Sequence, residues 1–169
     1  TQTPYLVSSE DELNLVQAIV ELEHTFAGET IQLSDNIVLT NGDFMIPLFA
    51  GTFDGAEHKI DGLSISTDTE NTGLFRELTE TGIIMNLTIY GSVTSTANNL
   101  GGIVGKSSGN IINCNNYALI DGSNSLRVGG IIGYKVMGIV DRCINHANII
   151  GRVSAYSLAG GVVGENDFG

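Results

Sequence analysis

A glycine-marked segment that recurs at nearly constant spacing is the strongest constraint on the fold of this chain. Gly-Gly-Ile-Val-Gly at 101–105 returns as Gly-Gly-Ile-Ile-Gly at 129–133 and as Gly-Gly-Val-Val-Gly at 160–164, and a degenerate copy lies at 73–76. The starting positions 73, 101, 129 and 160 are almost evenly spaced. A repeat of this length is typical of solenoids, in which each unit buries its apolar face only against its neighbours.

The stretches between the copies repeat as well, and their composition is typical of β-strands. The stretch 111–118 is matched in the next repeat by the stretch 140–147. The apolar runs are short, rich in isoleucine and valine, and bounded by glycine or asparagine. No repeat contains an amphipathic helical stretch, which argues against ankyrin-like and leucine-rich designs. The pattern predicts an all-β fold, a parallel β-helix (β-solenoid) with one coil in each repeat of about 30 residues.

Stacked coils align equivalent side chains along the solenoid axis. We expect an interior ladder of four apolar side chains, Leu74, Ile103, Ile131 and Val162. The repeat glycines are expected at corners, where φ is positive or where neighbouring coils crowd the backbone.

Further columns follow from the same alignment. One is expected to contain Leu63, Leu87, Cys114 and Cys143. Stacking would bring the two cysteine Cα atoms within disulfide range, but their side chains would run parallel. We favour buried free thiols, with a disulfide as the alternative.

Polar residues also align between coils. Asn116 and Asn145 occupy equivalent positions of successive repeats and are predicted to form an asparagine ladder at a bend, with amides bonded from coil to coil. His146 aligns with Tyr117 and is expected on the coil surface.

Residues 8–26 differ from the repeats and predict a capping α-helix over the first coil. Ser9 and Glu12 have the spacing of a capping box. An apolar stripe follows, formed by Leu13, Val16, Ile19, Val20 and Leu22. The first strands are expected at 31–34 and 37–39, and an irregular loop at 44–53.

The organisation predicted from these patterns is a single β-helix domain over residues 1–169, with its coils in 30–169. The last glycine-marked copy ends at Gly164, close to the end of the sequence at Gly169, and the sequence shows no second cap. A natural solenoid normally covers its terminal coil. We therefore expect the chain to be a piece of a longer protein.

The charge balance excludes several classes of partner. The formal net charge is −12, and the stretch 1–80 contains 15 acidic and 2 basic side chains. Nucleic-acid binding normally requires a basic surface, and anionic lipid also attracts basic segments. No apolar run is long enough to span a bilayer. We expect neither nucleic-acid binding nor membrane insertion.

The segments 53–65 (Phe-Asp-Gly-Ala-Glu-His-Lys-Ile-Asp-Gly-Leu-Ser-Ile) and 71–75 (Asn-Thr-Gly-Leu-Phe), with the glycine-marked copies, resemble the GLUG-motif repeat family. That family is found in bacterial surface proteins, including adhesins and immunoglobulin A1 protease-like proteins. The resemblance covers most of residues 8–169. It implies a right-handed parallel β-helix, but it implies little about activity because one fold serves many functions.

We assign no residue to catalysis, to a cofactor or to a metal ion. A zinc protease would need His-Glu-x-x-His on one helix, whereas His24, His58 and His146 lie far apart in sequence. We expect His24 at the helix end and His58 in a turn-stabilising hydrogen bond.

Enzymes that cleave polysaccharides need clustered carboxylates, or a calcium ion with a basic residue. The best local acids are Asp54, Glu57 and Asp61, at a turn beside Lys59. No column of carboxylates continues from them along the coils.

The sequence therefore favours a non-catalytic binding or spacer module of a secreted or cell-surface, adhesin-like bacterial protein. Its expected partners are a host protein or glycan and the neighbouring domains of the parent protein. The alternative is an accessory domain of an immunoglobulin A1 protease-like metalloprotease, which rests on the family resemblance. A second alternative is a carbohydrate-active β-helix enzyme.

Overall fold

Strands from successive turns of the chain pair in parallel throughout the computed structural model, which describes residues 3–152 and 156–167. Within these ranges the chain forms one helix and a β-solenoid. The chain crosses one sheet six times, so the described coils make about six turns. The predicted β-solenoid with an N-terminal helix is confirmed.

The strands of the last two coils follow the same order, whereas the first coils also contain the helix and lack a strand of the short sheet. The first coils contain β1 (Tyr5–Val7), α1 (Glu10–Glu21), β2 (Thr30–Leu33), β3 (Ile37–Val38), β4 (Ile46–Phe49), β5 (Thr52–Asp54), β6 (Lys59–Thr67) and β7 (Phe75–Leu78). The middle coils contain β8 (Ile83–Met85), β9 (Thr88–Ser95), β10 (Asn99–Gly101), β11 (Val104–Ser107), β12 (Asn110–Ile112), β13 (Asn115–Asn116), β14 (Leu119–Gly122), β15 (Arg127–Gly129) and β16 (Ile132–Lys135). The last coil contains β17 (Val140–Asp141), β18 (Ile144–Asn145), β19 (Ile149–Gly151), β20 (Leu158–Gly160) and β21 (Val163–Asn166).

Four parallel sheets run along the solenoid. The first sheet has the order β1-β2-β5-β8-β12-β17. The second sheet is built on β3, β6, β9, β13, β14, β18 and β19. The third sheet has the order β4-β7-β11-β16-β21, and a short sheet of β10, β15 and β20 lies before it in the chain.

Coils of unequal length share one register, and the largest difference in length lies between the second and third sheets. In the first coil the chain passes from the second sheet to the third over the short stretch from Ile37 to Ile46. In the last coil the same passage takes twice as long a stretch, from Asn145 to Val163. The paired residues stay aligned in both sheets despite this difference.

The predicted interior ladder is confirmed. Phe75, Val104, Ile132 and Val163 are paired in register in the third sheet, so the residues before them also stack. Leu74, Ile103 and Ile131 are fully buried, and Val162 is half-buried in the last coil.

The repeat glycines are required by crowding at a corner. A Cβ atom added to Gly129 would lie 2.0 Å from the carbonyl oxygen of Ile132. A Cβ atom added to Gly101 or Gly160 would likewise lie only 2.2 Å or 1.9 Å from the equivalent carbonyl oxygen of its own coil. None of the three has a positive φ, so close approach of the backbone explains them.

The core changes composition along the axis. Phe49, Phe53 and Phe75 are fully buried in the early coils, and their ring centroids lie 5.2 Å to 6.2 Å apart. Tilted and edge-on contacts of this kind add to the stabilisation from burial. Isoleucine and valine, such as Val104 and Ile132, occupy the later coils.

The helix is shorter than the predicted segment 8–26. It spans Glu10–Glu21, with Ser9 as its N-cap, and the Ser9 hydroxyl accepts from the Glu12 backbone N–H at 3.3 Å. The Glu12 carboxylate accepts hydrogen bonds from the backbone N–H and the hydroxyl of Ser8. It therefore does not complete the predicted capping box, in which it would accept from the backbone N–H of Ser9. The predicted apolar stripe of the helix wrongly included Leu22, which follows the last helical residue and is 82% exposed.

Two expectations about the early coils are wrong. The predicted loop at 44–53 contains strand β4 and most of the turn into β5. Pro47 is tolerated in β4 because this strand is at the edge of its sheet. Leu63 pairs with Gly91, outside the column of Leu87, because a register shift follows Ile60.

A corner between the first and second sheets holds residues in the left-handed conformation. Asn86, Asn113 and Arg142 occupy equivalent places with φ of 54°, 53° and 51°. The Asn113 amide donates to the Asn86 side-chain oxygen at 2.9 Å, and Asn86 donates to Asp54 at 2.9 Å. Asparagine tolerates this conformation better than arginine does.

We expect Ile131→Asp to abolish cooperative folding. The carboxylate would enter a fully buried apolar ladder, at a cost on the order of 3 to 5 kcal/mol. Thermal unfolding followed by circular dichroism measures the effect. The matched control is Ile139→Asp, because Ile139 is 60% exposed. A melting curve of Ile131→Asp that equals the control would contradict the interior ladder.

We expect Arg142→Asn to stabilise the chain. Asparagine relieves the strain of a positive φ and extends the amide column by one coil, worth about 0.5–1 kcal/mol, or a Tm rise of about 1–4 °C. The lost ion pair with Asp141 is exposed and contributes little. Arg142→Val is the opposite control, since a β-branched residue should lower the Tm. The idea fails if the asparagine variant melts below the wild type.

Candidate functional site

A stack of rings on the outer face of the second sheet is the most regular surface feature of the solenoid. The Tyr90 and Tyr117 ring centroids lie 4.7 Å apart and their planes differ by 6°. Tyr117 and His146 follow at 4.2 Å and 3°. The Lys59 ammonium lies 5.2 Å from the Tyr90 ring centroid, at the N-terminal end of the stack. We name these four residues the aromatic ladder.

The strand register places this ladder on the surface. Ile89, Asn116 and Asn145 pair in register and point inward, and each ladder ring follows one of them in the chain. Because successive side chains of a strand point to opposite faces, the rings emerge outward. Sequence reasoning aligned His146 with Tyr117 but missed Tyr90. The available signal was a tyrosine at the equivalent position of the repeat before Tyr117.

The predicted asparagine ladder lies directly beneath the rings and is confirmed. The Asn116 amide donates to the Asn145 side-chain oxygen at 2.8 Å. Asn116 is fully buried, and its side chain also bonds both polar backbone groups of Ala118. These bonds satisfy the buried amide and hold the segment between β13 and β14, which carries Tyr117, in place.

The stacking geometry limits what the ladder can bind. Tyr117 is covered on one face by Tyr90 and on the other by His146, and it remains 41% exposed. Its ring edge and hydroxyl are therefore the parts that meet solvent. Sugar recognition by aromatic side chains uses an open ring face, which this residue does not offer.

The surface around the ladder changes from polar to apolar along the axis. Small hydroxyl side chains flank it in the early coils, including Ser64, Ser66, Ser92 and Thr94. Apolar side chains replace them in the later coils. Leu119, Ile144 and Ile150 are 38%, 51% and 44% exposed.

A polar cluster lies at the corner of the short and third sheets. The Arg127 guanidinium lies 4.6 Å from the Tyr134 ring centroid and pairs with Glu165. Asn99 accepts a hydrogen bond from Arg127 at 3.2 Å. The charges of this cluster are thus engaged within the chain.

Two open grooves accompany these surfaces. A groove of about 380 Å³ runs beside Leu48, Glu77, Glu80 and Lys106. A more apolar groove of about 440 Å³ lies between α1 and β1. At its rim the Tyr5 hydroxyl donates to Glu29 at 3.1 Å, and this contact with a carboxylate raises the pKa of Tyr5.

The acids considered for catalysis are each held by donors of the protein. Asp54 accepts from Gln32, Asn86 and the Ala56 backbone. Burial opposes ionisation of Asp54, but these hydrogen bonds outweigh it and leave its pKa below the ordinary value.

Glu57 and Asp61 are likewise engaged. Glu57 accepts from Asn113 at 3.0 Å, and Asp61 pairs with Lys59 at 3.2 Å. Across residues 3–152 and 156–167, no three His, Cys, Asp or Glu side chains are grouped so as to hold a metal ion.

The three histidines occupy separate places. His24 lies beyond the helix end, 2.6 Å from the Glu29 carboxylate and edge-on to Phe26. The backbone N–H of His58 donates to Gly55 at 2.7 Å and closes a turn. His146 ends the aromatic ladder on the surface, as expected.

Comparison with known proteins gives one partial likeness. The chain is 37% identical over 86 residues to halomucin of Haloquadratum walsbyi. The match covers 50% of this chain and 1% of halomucin. No family model matches the chain, and no solved structure matches it. In the part of the chain that the structure describes, no helix combines the length and apolar character needed to cross a bilayer.

We expect Tyr117→Ala to destabilise the solenoid although Tyr117 is on the surface. The change separates Tyr90 from His146 and removes two ring contacts, at a cost of about 1–2 kcal/mol. Thermal melting and the tyrosine signal in near-ultraviolet circular dichroism report the loss. Tyr117→Phe is the control, because it keeps the stack and removes only the hydroxyl. Equal melting temperatures for the two variants would mean that the stack contributes nothing.

Proposed function

We propose that this chain is a non-catalytic spacer module of a secreted or cell-surface protein. The observation that carries the proposal is the parallel pairing of each coil with the next. Columns of apolar, amide and aromatic side chains join successive coils, inside and outside the sheets. Each coil adds about 4.8 Å along the axis, so length grows by adding equivalent units.

The nature of the ladders supports a spacer over a glycan-binding platform. The rings of the aromatic ladder stack on one another along the axis, and the asparagine ladder beneath them is bonded in the same direction. Both features join one coil to the next. They complement the backbone hydrogen bonds that link the coils in the sheets.

The likeness to halomucin also fits a spacer. The matching stretch is a very small part of that protein, since it covers 1% of its length. A segment of this kind therefore occurs within a very long chain, where a repeating structural unit is a natural component. The narrower assignments, to an adhesin or to a protease-associated domain, rest on the GLUG resemblance and stay predictions.

The carbohydrate-active alternative is not favoured by the positions of the acids. Both oxygens of Asp54 accept from protein donors, and one oxygen each of Glu57 and Asp61 does so as well. A glycosidase instead presents two carboxyl groups to its substrate, on either side of the scissile bond.

Single-molecule force spectroscopy tests the spacer directly. The chain is placed between two identical handle domains and pulled from its ends. We expect a discrete rupture followed by a length gain of about 3.4 Å per unfolded residue. Ile131→Asp is the control, and it should extend smoothly without a rupture.

Two results would contradict this function. One is a wild-type chain that extends at low force like a flexible linker. The other is the release of unsaturated sugars or new reducing ends when the wild type is incubated with a panel of polysaccharides. Binding on a glycan array would by itself add a ligand without removing the spacer role.

A further inference from the structure

The two cysteines meet at the junction of the last two coils. Strands β13 and β18 are paired in register, with Asn115 opposite Ile144, so the residues before them are neighbours. Those residues are Cys114 and Cys143, and both are free thiols. Neighbouring parallel strands lie about 4.8 Å apart, within the Cα range of protein disulfides.

The two side chains lean the same way along the axis, the Cys114 sulfur towards the carbonyl oxygen of Ile84 in the preceding coil, at 3.8 Å, and the Cys143 sulfur towards the coil of Cys114. The Cys143 sulfur lies 3.4 Å from the carbonyl oxygen of Ile111, which belongs to the coil of Cys114. The Cys143 side chain therefore reaches back across the junction between coils, and a covalent bond needs only a local rotation of side chains.

The two thiols differ in access and in acidity. Cys114 is fully buried, whereas Cys143 is partly exposed in the last coil. The interaction between the two side chains lowers the pKa of Cys143 and raises that of Cys114, and burial raises the latter further. A thiolate is the nucleophile in disulfide exchange, so Cys143 is the residue that reacts first.

We propose that Cys114 and Cys143 form an oxidation site that closes into a disulfide between coils when the chain meets a small-molecule disulfide such as oxidised glutathione. The Cys143 thiolate attacks one sulfur of the oxidant, and one glutathione thiolate leaves. Cys114 then loses its proton and attacks the Cys143 sulfur, and the second glutathione leaves. The protein dithiol loses two electrons and two protons, and one oxidised glutathione becomes two reduced molecules.

The bond would join two successive coils covalently, in addition to the backbone hydrogen bonds of their paired strands. A disulfide restricts the unfolded chain and so favours the folded state. Closing the loop from Cys114 to Cys143 should raise the Tm by about 5 °C or more.

Equilibration in glutathione buffers tests the site on the whole chain. The reduced protein is incubated under native conditions at graded ratios of oxidised to reduced glutathione, quenched with acid and analysed by intact-mass and peptide mass spectrometry. We expect a monomer that has lost two hydrogens, with Cys114 and Cys143 in one linked pair of peptides. Its Tm should exceed that of the reduced chain.

Serine variants separate the two steps. Cys114→Ser should stop at a mixed disulfide of Cys143 with glutathione. Cys143→Ser should stay unmodified, because Cys114 is fully buried. If Cys114→Ser fails to fold, Cys143→Ser and the wild type still decide the question.

Three outcomes would overturn the proposal: a wild type that stops at the mixed disulfide, one that links only between chains, or one that reacts only after unfolding. An oxidised form whose Tm does not exceed that of the reduced form would show that the disulfide does not stabilise the solenoid.

Discussion

Parallel pairing of each coil with the next is the interaction on which the rest of this structure depends. A single coil is too thin to bury its own apolar side chains, so each coil uses its neighbours as the walls of the core. Pairing in register brings like positions together, and every position becomes a column. Corners must then bring backbone close to backbone, which explains why Gly129 and its equivalents carry no side chain. Core, corners and surface ladders all follow from this one arrangement.

The columns show how different side chains meet the same geometric requirement. Inside, bulky phenylalanines fill the early coils, and isoleucine and valine fill the later ones. At the corner between the first and second sheets, the residue in the left-handed conformation is asparagine in two coils and arginine in one. Outside, two tyrosines and a histidine share one column. A column therefore tolerates substitution where a replacement can still contact the residues above and below it.

The sequence was most informative where the coils are most alike. The glycine-marked copies after residue 100 predicted the β-solenoid and the interior ladder of Ile103 and Ile131, because equal spacing there reflects equal structure. The early coils were harder. Strand β4 has no copy of the glycine segment, and Pro47 is a poor strand signal. The shift after Ile60 moved Leu63 away from its expected column. Tyr90 was missed because a surface ladder lacks the apolar periodicity that reveals a core.

The unequal coil lengths have a consequence for how such a chain can change. Between the second and third sheets the backbone takes twice as long a path in the last coil as in the first, yet both sheets keep their register. A difference in length between the strands of that side therefore leaves the second and third sheets in register, whereas a single added residue within a strand would move its side chains to the opposite face. The links between sheets can thus take up new sequence, while the paired strands that they join keep the architecture.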